Sequence, residues 1–336
     1  MIDRPYAAVR ELLDNAIDSG ATEITLNLRG GGIDSIQVRD DGHGMAADDL
    51  ELCWLPHATS KIASLEDLEN TATLGFRGEA LSSLAACSRL DIITSRSGEA
   101  YRLRVDGGKL LDWGPHRSAP GTTVTVKDLF FNMPARRRFI KSPRAESTLC
   151  RRTFLEKAAA HPHITFRLSV DGVTKNFFPP ASHADRVAAA WPRLAPPASW
   201  WETAIRGDGF NLIAVHARPE VSRRDRQYIQ IYANRRRIDE YALVQAVQHA
   251  YDAWMPGGVF LMAFVFVEIN PALVDFNIHP AKKEARFRDL PAVRQRLIEG
   301  IKDRITKESY GRRAGGEQTR PGQSLLIKPQ SVPSPS

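Results

Sequence analysis

Between residues 6 and 38 the chain changes hydrophobic period, and this change constrains its fold more than any other feature. Val9, Leu12, Leu13, Ala16 and Ile17 recur at spacings of three and four, which places them on one apolar stripe of a helix over 6–19. Gly20 stands where a glycine ends such a helix. Ile24, Leu26 and Leu28 then alternate with polar residues, the pattern of a half-buried strand. Gly30-Gly31-Gly32 turns the chain, and Ile36 and Val38 resume the alternation in a second strand. Helical patterns return near 47–55 and 78–87, and strands are expected at 90–94, 100–105 and 121–127. Helices mixed with hairpin-like neighbouring strands predict an α/β sandwich rather than a doubly wound parallel sheet.

Arg136 to about Pro162 reads as a helical connection. Beyond it, strands are expected near 164–170, 173–178, 210–217, 227–233 and 258–269, and helices near 239–254 and 291–309. Pro192, Pro196, Pro197 and the Trp200-Trp201 pair break periodicity within 185–210, which places a domain boundary there. The expected organisation is a first domain over 1–200, a smaller α/β domain over 201–310, and a disordered tail over 311–336, where 12 of 26 residues are Pro, Gly or Ser.

Charge divides the chain as well. Residues 1–95 carry 7 Lys+Arg against 16 Asp+Glu, a net of −9, and the remainder carries 39 against 23, a net of +16. A basic rear half suits contact with nucleic acid or another polyanion, although a solvated basic surface has the same composition. The longest apolar run, Val259–Val267, is too short for a membrane-spanning helix, and Asp3, Arg4 and Glu11 interrupt any signal-like stretch. Cys53, Cys87 and Cys150 lie far apart without C-x-x-C spacing, which argues against a disulfide framework or a zinc cluster and suits a reducing cytosol.

Four elements carry chemistry. Glu11, Asn15 and Asp18 line one polar stripe of the first helix, opposite the apolar one; a merely solvated face looks the same. The second strand runs into Asp40-Asp41-Gly42-His43-Gly44, where a carboxylate at a strand end can accept from an exocyclic amine and two glycines let the backbone approach a ligand. Gly75-Phe76-Arg77-Gly78-Glu79-Ala80-Leu81 opens a helix whose first N–H groups suit phosphate, without the lysine of a Walker-type loop. His57-Ala58-Thr59-Ser60-Lys61 lies between the two glycine elements and could form a movable lid, and Gly121-Thr122-Thr123 enters a strand.

In this order the elements resemble the GHKL ATPases, a group that includes gyrase-type topoisomerases, heat-shock chaperones, sensor histidine kinases and MutL mismatch-repair proteins. The likeness is greatest to the MutL family, through Glu11 to Ala21, His57 to Ile62, Gly75 to Leu81, Asn132-Met133-Pro134-Ala135-Arg136-Arg137 and Asn277-Ile278-His279-Pro280-Ala281-Lys282. It covers roughly residues 3–310 and implies a GHKL-type α/β sandwich ATPase domain followed by a second, smaller α/β domain.

The resemblance also implies roles. Glu11 would be the general base that activates water. Asn15 would hold Mg²⁺ through its amide oxygen. Asp40 would accept from the adenine amino group, with Thr123 supporting that contact. Gly42, Gly44, Thr59, Ser60, Lys61 and Gly75, Phe76, Arg77, Gly78, Glu79, Ala80 and Leu81 would shape the ATP pocket and its lid. Lys282, from the second domain, would reach the γ-phosphate. DNA contacts are implied at two basic triplets, Arg136-Arg137-Arg138 and Arg235-Arg236-Arg237, mainly to phosphate.

The function so implied is a weak Mg²⁺-dependent ATPase switch in DNA mismatch repair, located in the cytoplasm at the nucleoid. It would work with a mismatch-recognition protein and a downstream nuclease or helicase. The alternatives are an ATPase-impaired DNA-binding fragment or another GHKL ATPase of the gyrase kind. Two departures from the family bear on this. Met1-Ile2-Asp3-Arg4-Pro5 aligns with the end of an arm that completes the lid and the ATP-dependent homodimer, so both are expected to be compromised. The chain also stops in a linker, as a fragment or an incomplete gene model would. Gln323-Ser324-Leu325-Leu326-Ile327 resembles sliding-clamp peptides, although a chance cluster is the favoured reading of five residues.

Overall fold

The computed structural model describes residues 2–55, 80–140, 142–223, 228–255, 258–276 and 285–314. Two compact units divide the chain between Ala181 and Ser182.

The first unit opens with α1 (Pro5–Asp18), with Pro5 at its first turn and Ala7, Ala8, Val9, Leu12, Leu13 and Ala16 buried. Strands β1 (Glu23–Arg29) and β2 (Ser35–Asp40) pair antiparallel on either side of the glycine turn. Helices α2 (Ala47–Leu52) and α3 (Ala80–Cys87) precede β3 (Arg89–Arg96), β4 (Glu99–Asp106), β5 (Lys109–Pro115) and β6 (Gly121–Lys127). The expected helical connection is two helices, α4 (Pro134–Phe139) and α5 (Pro143–Ala160), split at Pro143, with Ser142 capping the second. β7 (Thr165–Val170) and β8 (Val173–Phe178) complete an eight-stranded sheet in the order β5-β4-β3-β6-β2-β1-β7-β8, in which only β1 and β7 run parallel. The inward residues Ile24, Leu26, Leu28, Ile36, Val38, Leu90, Ile92, Val126, Phe166 and Leu168 form the core under α1, α3 and α5. The mixed α/β sandwich is thus as expected. Strand β5 was not, because every residue of it but Gly114 is exposed and leaves no burial pattern to read.

The second unit begins with α6 (His183–Ala190), capped by Ser182. Strands β9 (Trp200–Gly207), β10 (Phe210–Ala217), β11 (Ile229–Ala233), β12 (Arg236–Ile238) and β13 (Ala263–Ile269) make a five-stranded sheet ordered β12-β11-β13-β10-β9. One face packs α7 (Tyr241–Tyr251) and α8 (Leu290–Ala314) through a core that includes Leu212, Ile231, Val247, Val265, Leu297 and Ile301. The other face carries Phe264 and Phe266 against Trp191 and His183, beside α6.

Packing therefore ends the first unit ahead of the 185–210 window. The 185–210 window takes in most of α6, which packs on β9 and β10, and the Trp200-Trp201 pair starts β9. The long apolar run ending at Val267 is the signature of a strand buried on both faces. Helix α8 continues through Ala314, into the stretch expected to be tail, and residues 315–336, with the clamp-like peptide, lie outside the described residues.

Candidate nucleotide site and basic surfaces

The end of α1 is tied directly to the end of β2. Ser19 Oγ shares its proton between the Ala16 carbonyl (2.8 Å) and Asp40 Oδ1 (3.2 Å), and the Ser19 carbonyl accepts the His43 N–H at 3.0 Å. Asp40 Oδ1 also accepts the N–H groups of Gly42 (3.0 Å) and Thr122 (3.3 Å). Asp40 is 6% exposed, and burial raises its carboxyl above the ordinary range against the pull of these hydrogen bonds. Oδ2 makes no hydrogen bond among the described residues, which leaves an acceptor for an incoming N–H. Neighbouring Asp41 faces the protein instead. It accepts from Thr22 N (2.7 Å), Thr22 Oγ1 (2.5 Å) and Glu23 N (2.8 Å), fastening the start of β1. Partial burial pushes its carboxyl up, but these hydrogen bonds outweigh that and hold it below its usual value.

The glycines are required by the protein's own packing. A Cβ on Gly42 would lie 1.9 Å from Ser19 Oγ, and one on Gly44 (φ +68) 2.2 Å from the Ser95 carbonyl oxygen. Thr94 Oγ1 accepts the Met45 N–H at 2.8 Å and meets Thr122 Oγ1 at 3.0 Å. These contacts gather the ends of α1 and β2, the loop after β2, β3 and the start of β6 into one place.

The register corrects one expectation. Asp40 stands opposite Thr122, and Thr122 stands opposite Thr94, so these three side chains share a face of the sheet. Thr123 pairs with Arg39 and Ile93 and belongs to the other face. Thr122, Thr94 and Ser19 are therefore the groups the sequence reading missed. Counting in twos back from Val126 and Val124 could have found Thr122, whereas Thr94 required the β3–β6 pairing.

Glu11 and Asn15 are half-buried on α1, two turns and one turn before Ser19, so Glu11 lies about 12 Å from Ser19 along the helix axis. Glu11 Oε1 accepts from Arg10 at 3.1 Å. The intervening Asp14 is buried and paired with Lys157 of α5, whose charge offsets but does not cancel the upward push of burial on its carboxyl. Arg4, just ahead of α1, pairs with the buried Glu146 of α5. Two ion pairs thus fix the helix that carries Glu11 and Asn15. Ala80 and Leu81 open α3 and are half-buried. Thr59, Ser60, Lys61, Gly75, Phe76, Arg77, Gly78, Glu79 and Lys282 lie outside the described residues.

The basic triplets divide internally. Arg136 Nη1 donates to the Ile2 carbonyl at 2.9 Å and its guanidinium lies 5.8 Å from the Phe130 ring centroid, so Arg136 serves the fold, while Arg137 and Arg138 are exposed. Arg235 is exposed, whereas Arg236 stacks 5.0 Å from the centroid of Phe276 and Arg237 is half-buried.

Comparison with known proteins agrees with this geometry. Residues 4–112 match the family of histidine kinase-, DNA gyrase B- and HSP90-like ATPases, and residues 199–306 match the DNA mismatch repair protein, C-terminal domain. The chain is 37% identical over 309 residues to the DNA mismatch repair protein MutL of Borreliella afzelii (strain PKo), covering 92% of this chain and 51% of that protein. It is 41% identical over 312 residues to MutL of Heliobacterium modesticaldum (strain ATCC 51547 / Ice1), covering 90% and 47%. The chain therefore spans about half the length of the curated relatives it matches. Among solved structures, the fold matches the N-terminal domain of a DNA repair protein with a TM-score of 0.72 and 24% identity, covering 92% of this chain and 96% of that one. It also matches the Aquifex aeolicus MutL ATPase domain complexed with ADP, with a TM-score of 0.62 and 22% identity over 88% and 98% of the two chains.

Proposed function

Since the chain belongs to the MutL family of DNA mismatch repair proteins, we propose that its first unit is an ATP-binding and hydrolysing switch and that its second unit couples that switch to DNA and repair partners. The observation that carries this reading is the buried Asp40, with one oxygen held by three donors and the other left as an acceptor.

The residues fit a nucleotide. Asp40 Oδ2 receives the exocyclic amine of adenine, and the hydroxyls of Thr94 and Thr122 stand beside it. Farther back along α1, Asn15 offers a hard amide oxygen to Mg²⁺, an ion that keeps few protein ligands beside phosphate and water. Glu11 orients a water and takes its proton. The phosphoanhydride of bound ATP supplies the bond whose cleavage resets the switch. Lys282 brings a positive charge toward the terminal phosphate, and the segments 59–61 and 75–81 serve as lid and phosphate loop. DNA is met through exposed arginines, mainly at phosphate. The gyrase-like alternative is less well supported, because residues 199–306 match a mismatch-repair domain.

Nucleotide binding and hydrolysis, measured separately, test the assignments. Glu11→Ala should lower hydrolysis by about 10²–10⁴-fold and leave ATP binding near parental, because Glu11 is asked to touch water rather than nucleotide. Asp40→Asn should lose ATP and ADP alike, since its amide offers adenine the wrong pattern. Lys282→Ala should slow hydrolysis more than it weakens ADP binding. Parental turnover by Glu11→Ala would remove it as the base, and normal ADP binding by Asp40→Asn would move the adenine contact elsewhere.

A further inference from the structure

Five hairpins among the described residues close through two residues, joining β3 to β4, β4 to β5, β7 to β8, β9 to β10 and β11 to β12. In four of them the second residue is glycine with positive φ: Gly98 (+88), Gly108 (+82), Gly172 (+79) and Gly209 (+73). That is the residue such turns favour, because a Cβ is strained there. The fifth places Arg235 in this position, at φ +65, after Asn234 at φ +44.

The turn is held in this conformation by its neighbours. Asn234 N–H donates to the Val267 carbonyl at 2.8 Å, its Nδ2 donates to the Ile269 carbonyl at 2.9 Å, and its Oδ1 accepts the Ile269 N–H at 2.9 Å. These bonds fasten Asn234, the residue just before Arg235, to β13. Little around the side chain compensates the strain. Among the described residues its ion pair is with Glu268, 4.0 Å long between side chains 50% and 67% exposed, and such pairs contribute little. A local rule broken without packing gain is a mark of function.

We propose that Arg235 is a preorganised DNA-phosphate contact, presented outward by the rigid β11–β12 turn. Arg236 stacks on Phe276 and Arg237 is half-buried, so Arg235 is the exposed guanidinium of the triplet. Its planar fork suits two phosphate oxygens at once, which an ammonium does not match. The strained turn fixes the residue that carries the fork, so less freedom is lost on binding. This assignment rests on the DNA-binding reading given above.

Two readouts of opposite sign test it in the full chain: thermal melting, and binding of a short random-sequence DNA duplex across a salt series. Arg235→Gly should raise Tm by about 2–4 °C by relieving the turn. The same variant should weaken duplex binding about tenfold and flatten the log K against log salt slope by about 0.9, the share of one phosphate. Arg235→Lys should keep parental Tm and most of the slope, because it keeps both the strain and the charge. A lower Tm for Arg235→Gly, or a higher Tm with an unchanged slope, would overturn the proposal alone. Failure of the parent chain to bind duplex at any salt would overturn it together with the DNA-binding reading.

Discussion

The two sheets solve burial differently. In the first unit, β1 and β2 bury alternate residues, and the outward positions hold polar side chains such as Asn27, Gln37 and Thr125, linked across the strands by hydrogen bonds of 3.1 Å. In the second, β11 buries all five of its residues and β13 six of seven. A sheet with one apolar face keeps its polar positions on the other, whereas Asp40, Thr94 and Thr122 lie on the buried face at the strand ends, beyond Val38, Ile92 and Val124. A sheet buried on both faces offers no wet positions, so an ionisable group inside it must stay neutral. Burial acts alike on ionisable groups in both units: it raises the carboxyls of Asp14 and Asp40 in the first and lowers the His216 imidazole in the second, each toward the neutral form.

The hardest test of the contrast is Lys157→Met. Asp14 and Lys157 are paired with side chains only 10% and 14% exposed, and Asp14 sits on the helix that carries Glu11 and Asn15. Removing the lysine strands a buried carboxylate and should cost about 3–5 kcal/mol in urea unfolding of the intact chain. The double variant Asp14→Leu, Lys157→Met should recover most of that loss. A change below about 1 kcal/mol for the single variant would show that water reaches the pair and that the first unit tolerates charge beneath α1.

A smaller effect, of defined sign, separates the second unit. His216 is fully buried between Tyr251 and Thr203. Tyr251 donates its hydroxyl proton to the Ala217 carbonyl at 2.8 Å, so its oxygen accepts from His216 Nδ1–H, and His216 Nε2 accepts from the Thr203 hydroxyl at 3.0 Å. Burial, helped by the charge of Arg304, lowers the imidazole to about 3. The unfolded chain takes up this proton near pH 6.5 and the folded chain does not, so stability is complete above about 6.5 and falls as pH drops toward 3. The loss should reach about 2 kcal/mol between pH 6.5 and 5. Hydrogen exchange at β10 and β13 amides in the intact chain should follow it, and His216→Gln should remove that slope. An equal slope in the variant would assign the acid sensitivity to other groups. Asp14 and Asp40 act in the opposite sense, because the folded state holds their protons more tightly.

The same contrast explains what could be read from the residues. Ile24, Leu26 and Leu28 announced β1 because their partners alternate with water, and Gly30-Gly31-Gly32 announced its turn. Strand β13 was equally legible, from the unbroken apolar run that ends at Val267. Strand β5 was hidden because even Leu110 and Leu111 are exposed, and β9 because Trp200 and Trp201 follow a proline-rich stretch that looks like a linker. At the site, the chemical types were legible at Glu11, Asn15 and Asp40, since each lies in a long motif. Ser19 as a donor to Asp40, and Lys157 as the partner of Asp14, were not legible, because each depends on a contact between elements that local periodicity does not encode.

The finest test concerns the two faces of the first sheet at a single pair of neighbours. Thr122 and Thr123 are chemically identical, and only the pleat distinguishes them. Thr122 shares a face with Asp40 and Thr94 and places its hydroxyl 3.0 Å from that of Thr94. Thr122→Val keeps the shape, removes the hydroxyl and leaves Thr94 without this contact. ATP affinity should fall by up to about tenfold, the scale of one hydrogen bond. Thr123→Val places its methyl between Arg39 and Ile93 on the other face and should leave ATP affinity unchanged. Calorimetric titration of both variants, with their melting temperatures as a control, reads the difference. Loss of affinity in Thr123→Val with none in Thr122→Val would mean that the nucleotide approaches the opposite face, and would withdraw Asp40 as the adenine contact along with the register argument that places it.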